Sequence, residues 1–190
     1  MSRIVVASSN EGKIREIHDI IGNSIGSLEC LPKNYVDIPE IQDWSVENIS
    51  RKKAVDYYNH LISEEYLEEG EYVMVDDTGL FIKDANGFPG PYVKDFLKKT
   101  PLTEICRKYS CSEVEATMSI VLYNGEKMIV ATKTCNGIIP SAPMPGPYGF
   151  GWDDVFVPEG FEHSYSQLKN KNDISPRGYA LREIANKFSL

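Results

Sequence analysis

Near its start the chain runs Ile4-Val5-Val6-Ala7, four consecutive apolar residues rich in β-branched side chains. An unbroken run of this kind suits a strand covered on both faces, because a strand with one wet face alternates apolar and polar residues. The period then changes. Ile14, Ile17 and Ile21 recur at helical spacing behind Ser8, Ser9 and Asn10, which can cap a helix, so a helix is predicted from near Glu11 to near Gly22. A buried strand feeding a helix through a short polar loop is the opening of an α/β sheet.

The same reading continues along the chain. It predicts a second strand over 28–36, a helix from Val46 to about Leu61, and a buried strand over 72–75 stopped by Asp76-Asp77-Thr78-Gly79, with an extended stretch resuming at Leu80. Asn86-Gly87-Phe88-Pro89-Gly90-Pro91 reads as a turn into a short helix over 92–98. The runs 114–123 and 128–135 flank Asn124-Gly125, the signal of a type I′ hairpin, and place an antiparallel pair beside the α/β portion. Residues 139–151 hold several Pro and Gly and read as a loop, 155–157 as a short strand, and Pro176 to Phe188 as a closing helix with proline in its first turn. With 190 residues, this argues for one domain spanning 1–190.

Charge narrows the function. Lys plus Arg number 20 against 28 Asp plus Glu, a formal net charge of -8, which disfavours binding to nucleic acid or to an anionic membrane surface. A polyanionic ligand would need a local cluster of cations or a metal. No apolar segment is long enough for a signal-peptide core or a membrane span, and the four cysteines lack metal or disulfide spacing, so a cytoplasmic protein with reduced thiols is expected.

Three sites could carry chemistry. Ser8, Asn10 and Lys13 sit where a helix N-terminus favours an anion, and a lysine in a first turn makes sense if an anion lies beside it; a capped helix with a solvated lysine is the alternative. Asp76 and Asp77 fall at a strand end, where ligands bind in open α/β sheets, and with Glu40 they would suit Mg²⁺; a simple Asx turn is the alternative. Neighbouring residues on a strand point to opposite faces, so both aspartates reach one site only if Thr78-Gly79 bends. Phe150-Gly151-Trp152-Asp153 joins aromatics to a carboxylate, a way to hold a purine by stacking and by accepting from a base N–H, or else a pair of hydrophobic plugs.

Taken in order, Ser8-x-Asn10-x-x-Lys13, Asp76-Asp77-Thr78-Gly79-Leu80, Gly87-x-Pro89-Gly90-Pro91-Tyr92, Phe150-Gly151-Trp152-Asp153 and Lys171-Asn172 followed by Ser175-Pro176-Arg177 resemble the inosine triphosphate pyrophosphatase, or Ham1-like, family over nearly the whole chain. The resemblance implies an elongated mixed sheet with flanking helices, two lobes around a central nucleotide cleft, and a homodimer. It also implies Mg²⁺-dependent hydrolysis of ITP, dITP or XTP to the monophosphate and pyrophosphate. Position by position, it assigns Ser8, Asn10, Lys13 and Lys52 to the phosphates, and Glu40 and Asp77 to the metal, with Asp76 as a further candidate ligand. Asp77 would prepare the attacking water, Thr78 and Lys94 would contact substrate, and Phe150, Gly151, Trp152, Asp153, Lys171, Pro176 and Arg177 would clasp the base.

One position departs from the pattern: Pro176 stands where the family commonly has His, removing a donor to the 6-keto edge and leaving Arg177 to carry more of the base reading. Two other functions fit the same residues: a nucleotide-binding or sensing protein without turnover, and a pyrophosphatase for other modified nucleotides.

Overall fold

The computed structural model describes residues 2–22, 24–32, 35 and 38–189. In chain order it contains β1 (Arg3–Val6), α1 (Glu11–Ile20), β2 (Ser27–Cys30), α2 (Val46–Ser63), β3 (Tyr72–Ile82), β4 (Pro89–Gly90), α3 (Val93–Lys99), α4 (Leu102–Tyr109), β5 (Glu113–Tyr123), β6 (Met128–Ile138), β7 (Val157–Pro158), α5 (Lys171–Ile174) and α6 (Pro176–Phe188). Seven strands form one mixed sheet in the order β2-β1-β3-β5-β6-β7, with β4 paired to β3. β1 runs parallel to both neighbours, Val6 lying opposite Cys30 on one side and Met74 on the other. That central place accounts for its unbroken apolar sequence, since Ile4 and Val5 are fully buried.

Contacts divide the chain into two compact units, the described parts of Met1–Asp77, Ser119–Thr132 and Arg177–Leu190 making the first, and Thr78–Met118 with Lys133–Pro176 the second. In unit 1, Val5, Ala7, Val73, Val75 and Val121 of the strand region pack with Ala54, Tyr57, Tyr58 and Leu61 of α2. Leu61 is fully buried, and truncating such a leucine to alanine costs about 2–5 kcal/mol. In unit 2, Leu80, Ile82, Val114, Ala116 and Ile139 pack with Ile105, Cys106 and Tyr109 of α4 and with Phe156 and Tyr165.

Several expectations are revised. The strand predicted to stop at Asp76 runs on to Ile82 without a break. Tyr72–Met74 pair with β1, and Leu80 and Phe81 pair with β4, so Thr78-Gly79 stays extended within β3 and does not supply the bend that would bring both aspartates to one site. Helix α4 was not anticipated, although Leu102, Ile105, Cys106 and Tyr109 show the i, i+3, i+4, i+7 pattern. The hairpin turn differs from the predicted type I′: residues 124–127 lie between the strands, Asn124 N–H donates to the Lys127 carbonyl at 3.3 Å, and of these residues only Gly125 has positive φ, at 94°, where a type I′ turn needs it at both central residues. The second strand ends at Cys30, and the predicted extension reaches positions 33, 34 and 36, outside the described residues. Residues 153–155 form a 3₁₀ turn, so the late strand is only Val157–Pro158.

Candidate active site

The first group of site residues lies within unit 1. Asn10 caps α1, its Oδ1 accepting from Lys13 N–H at 3.2 Å, while Ser8 Oγ accepts from Asn10 N–H at 3.3 Å. Both residues therefore build the loop that aims α1. The anion beside Lys13 is a carboxylate of the protein itself: Lys13 Nζ lies 3.1 Å from Asp76 Oδ2. Asp76, only 3% exposed, also accepts from Arg177 Nη1 of α6, and Arg177 Nε lies 2.7 Å from Oε2 of the buried Glu16. Strand β3 and helices α1 and α6 are thus tied by one charged network.

Asp77 follows on the opposite face of β3, as strand alternation requires. There α2 delivers Lys53, whose Nζ lies 2.5 Å from Glu40 Oε1 and donates to the Asp76 carbonyl at 3.4 Å. Lys52, the lysine expected among the phosphate contacts, turns instead to Asp56 one helical turn on. The two lysines differ because Lys53 follows Ile49 and Ser50 and precedes Ala54 and Tyr57 on the buried side of α2, whereas Lys52 faces outward.

Electrostatics distinguish the ionised groups. Burial opposes charge on Asp76, but Lys13, Arg177 and Lys53 outweigh it and hold the carboxyl far below its usual range. Lys13 goes the other way for a base: burial lowers it, Asp76 opposes that, and the neighbouring charges of Arg177 and Lys53 add to the lowering. Lys53 is also penalised by burial, yet Asp77 and Glu40 raise it overall, so its positive charge is secured. The face of β3 that carries Asp77 thus holds a fixed cation and two carboxylates.

The second group lies within unit 2. Asp153 Oδ2 accepts from Phe150 N–H at 2.8 Å and from Lys171 Nζ at 2.5 Å, and both Asp153 and Lys171 are buried. The Lys171 ammonium also sits 4.5 Å from the Phe150 ring centroid. Gly151 adopts φ of 63°, and a Cβ there would meet nothing within 4 Å, so glycine is required by conformation rather than by space. Trp152 packs edge-on to Phe156 at 5.5 Å and lies 6.4 Å from Tyr165. Asp153 therefore organises the turn, while Trp152 is built into the hydrophobic packing.

Thr78 Oγ1 donates to Met118 Sδ at 3.4 Å, and Lys94 is exposed in the first turn of α3. Pro176 opens α6, where no intrahelical N–H is needed. The structure thus gathers Lys13, Asp76 and Arg177, and separately Phe150, Asp153 and Lys171, while Lys52 joins neither set. Glu16 and Lys53 escaped the sequence reading. Glu16 could have been found three residues beyond Lys13 on the same face of α1, and Lys53 from its phase on α2.

The Ham1 family model matches residues 4–187. Inosine triphosphate pyrophosphatase 2 of Trypanosoma cruzi (strain CL Brener) is 33% identical, the match covering 99% of this chain and 93% of that protein. A dITP/XTP pyrophosphatase of Hyperthermus butylicus is 30% identical over 95% of this chain and 92% of its own. Among solved structures, a HAM1 protein from Coxiella burnetii superposes with a TM-score of 0.76 at 22% identity, covering 100% of this chain and 99% of that one, and shares the fold. Because the family model spans almost the whole sequence and curated relatives align over nearly their full lengths, the chain belongs to the Ham1 family.

Proposed function

We infer that this chain is a nucleoside-triphosphate pyrophosphatase, hydrolysing non-standard purine triphosphates (ITP, dITP and XTP) to the monophosphate and pyrophosphate. Relatives that align end to end carry the names inosine triphosphate pyrophosphatase and dITP/XTP pyrophosphatase. The observation that carries the reading in the molecule is Asp77 on the Lys53 face of β3. A carboxylate beside a firmly protonated lysine can take a proton from water while the ammonium faces phosphate oxygens.

The chain's own groups then divide the work. Lys53 and Lys13 supply positive charge to a polyphosphate that a protein of net charge -8 would otherwise repel. Asp77 orients the water that attacks the α-phosphorus and receives its proton as pyrophosphate leaves. Glu16 and Asp76 hold Arg177 in place. Within unit 2, the Phe150 face and the Lys171 ammonium suit a purine ring that presents keto oxygens.

We propose Mg²⁺ as the metal. Its preferred donors are hard oxygens, and it takes one or two carboxylates with waters and substrate phosphates completing the shell. Asp77 and Glu40 fit that demand, the Glu40 side chain being 47% exposed and so able to turn from Lys53. Asp76 fits less well, because its Oδ2 already accepts from two cations. When bound, the ion neutralises charge on the phosphate oxygens.

Residues 1–190 are proposed to act as one functional domain, since β3, β5 and β6 each contribute to both units, and as a homodimer in the cytoplasm. Cys30, Cys106, Cys111 and Cys135 are all free thiols, in keeping with a reducing compartment. The direct test is pyrophosphate release from ITP, dITP, XTP, GTP and ATP with and without Mg²⁺. Metal-dependent release favouring the first three supports the reading, and equal rates for ITP and ATP refute it.

A further inference from the structure

Three consecutive side chains, Ser164, Tyr165 and Ser166, are fully buried. They open a single 3₁₀ turn: Ser164 is its N-cap, and Tyr165–Gln167 form it. Each side chain bonds a different segment of unit 2. Ser164 Oγ donates to the Met144 carbonyl at 2.6 Å, in the Pro- and Gly-rich stretch before Phe150. Tyr165 Oη donates to the Ile174 carbonyl at 3.4 Å, at the end of the helix that carries Lys171. Ser166 Oγ donates to Asp154, the residue after Asp153. With about three residues per turn, successive side chains of such a turn fan out in three directions, so one turn can hold three segments at once.

The backbone adds to the grip. The Ser166 carbonyl accepts from Tyr148 N–H at 2.9 Å, and Met144 N–H donates to the Asp154 carbonyl at 2.8 Å. Gly146 and Gly149 lie so close that a Cβ on the first would fall 2.2 Å from the Ser166 carbonyl oxygen, and one on the second 1.9 Å from its Oγ. The two glycines are therefore required by close approach. The Tyr165 ring stacks on Phe156 at 4.8 Å and 11°, anchoring the turn in the core. A stretch that reads from sequence as a loop is seated on a buried hub on both sides of Phe150.

We propose that Ser164, Tyr165 and Ser166 are positioning residues for base selection, fixing Phe150 and Lys171 relative to each other without touching the substrate. This rests on the pyrophosphatase reading above. Phe150 and Lys171 belong to different segments, and the turn holds them in one arrangement through Met144 and Asp154 on one side and Ile174 on the other. A clamp that selects among purines by hydrogen bonding has to keep its donors within a few tenths of an ångström, and loosening it lets the wrong base in as it weakens the right one.

The experiment compares wild type with Ser166→Ala, Ser164→Ala and the conservative Ser164→Thr. Kinetics on ITP and ATP are paired with hydrogen exchange of residues 144–152 in the absence of nucleotide. In both alanine variants KM for ITP is expected to rise about tenfold with kcat within about threefold, the ITP-over-ATP preference to fall about tenfold, and exchange over 144–152 to quicken. Ser164→Thr, which keeps the hydroxyl, is expected to restore both readouts. Near-equal thermal midpoints would show that the fold is kept. An unchanged preference in folded alanine variants overturns the proposal, as does unchanged exchange. A wild type inactive on ITP overturns the function proposed above instead, and the exchange measurement, which needs no turnover, still decides whether the turn holds the loop.

Discussion

Asp76 and Arg177, separated by 101 positions in the chain, form a buried ion pair, and the same carboxylate oxygen also receives Lys13. The pair joins the middle of β3 to the first turn of the last helix. Removing one partner of a buried ion pair leaves an uncompensated charge, at about 3–5 kcal/mol. Asp76→Ala is therefore expected to destabilise the protein by about that amount in urea unfolding at pH 7, while truncation of the exposed Lys83–Glu113 pair changes stability by less than about 1 kcal/mol.

Asp76 also sets an acid limit. Its folded carboxyl titrates below the ordinary 3.8 because Lys13, Arg177 and Lys53 overcome the opposing effect of burial. Between those two values the unfolded chain holds the proton and the folded chain does not, so stability rises with pH there. The contribution is complete above about pH 4 and is lost as pH falls through the folded value. Unfolding free energies of wild type and Asp76→Asn, measured from pH 7 downward, should differ by a constant amount until about pH 4 and converge below it.

Lys53 and Lys52 are adjacent in sequence and opposite in consequence. Loss of one charge-assisted contact to phosphate is worth about 1.5–3 kcal/mol, so Lys53→Ala should lower kcat/KM for ITP by roughly ten- to a hundredfold. Lys52→Ala should stay within about twofold, since that lysine pairs with Asp56 on the helix surface. Steady-state pyrophosphate release from the two variants decides it, and a larger loss for Lys52 would reverse the assignment.

Asp77→Asn should keep the fold and bind nucleotide while losing at least about a hundredfold in kcat, because an amide neither takes the proton from water nor serves Mg²⁺ well. Circular dichroism establishes the fold, and single-turnover hydrolysis separates binding from chemistry. Turnover near the wild-type rate would remove Asp77 from the mechanism.

The buried Lys171 is held by Asp153 and faces Phe150. Lys171→Met keeps the volume but removes the donor and leaves the Asp153 carboxylate with the Phe150 N–H. It is expected to raise KM for ITP and XTP about tenfold and leave ATP little changed, narrowing the preference. Equal losses for ITP and ATP would argue that Lys171 supports the turn without reading the base.

Local chemistry determined much of this protein in advance. The unbroken Ile4–Ala7 run, the Asn10 cap, the helix from Val46 to about Leu61, the hairpin and the proline at the start of the last helix all follow from side-chain period and backbone preference, which act over a few residues. The ordered motifs likewise marked out the residues of both charged sets except Glu16 and Lys53. What the sequence left open depended on partners far along the chain. Whether Thr78-Gly79 bends was decided by the strands on either side of β3, because ladder hydrogen bonds hold an extended backbone that isolated Thr-Gly does not require. Which lysine faces Asp77 was decided by the rotation of α2 on its core, since one step along a helix turns a side chain by about 100°. Arg177, expected at the base, is bound to Asp76 and Glu16, because a buried guanidinium is stable only beside carboxylates and those come from β3 and α1.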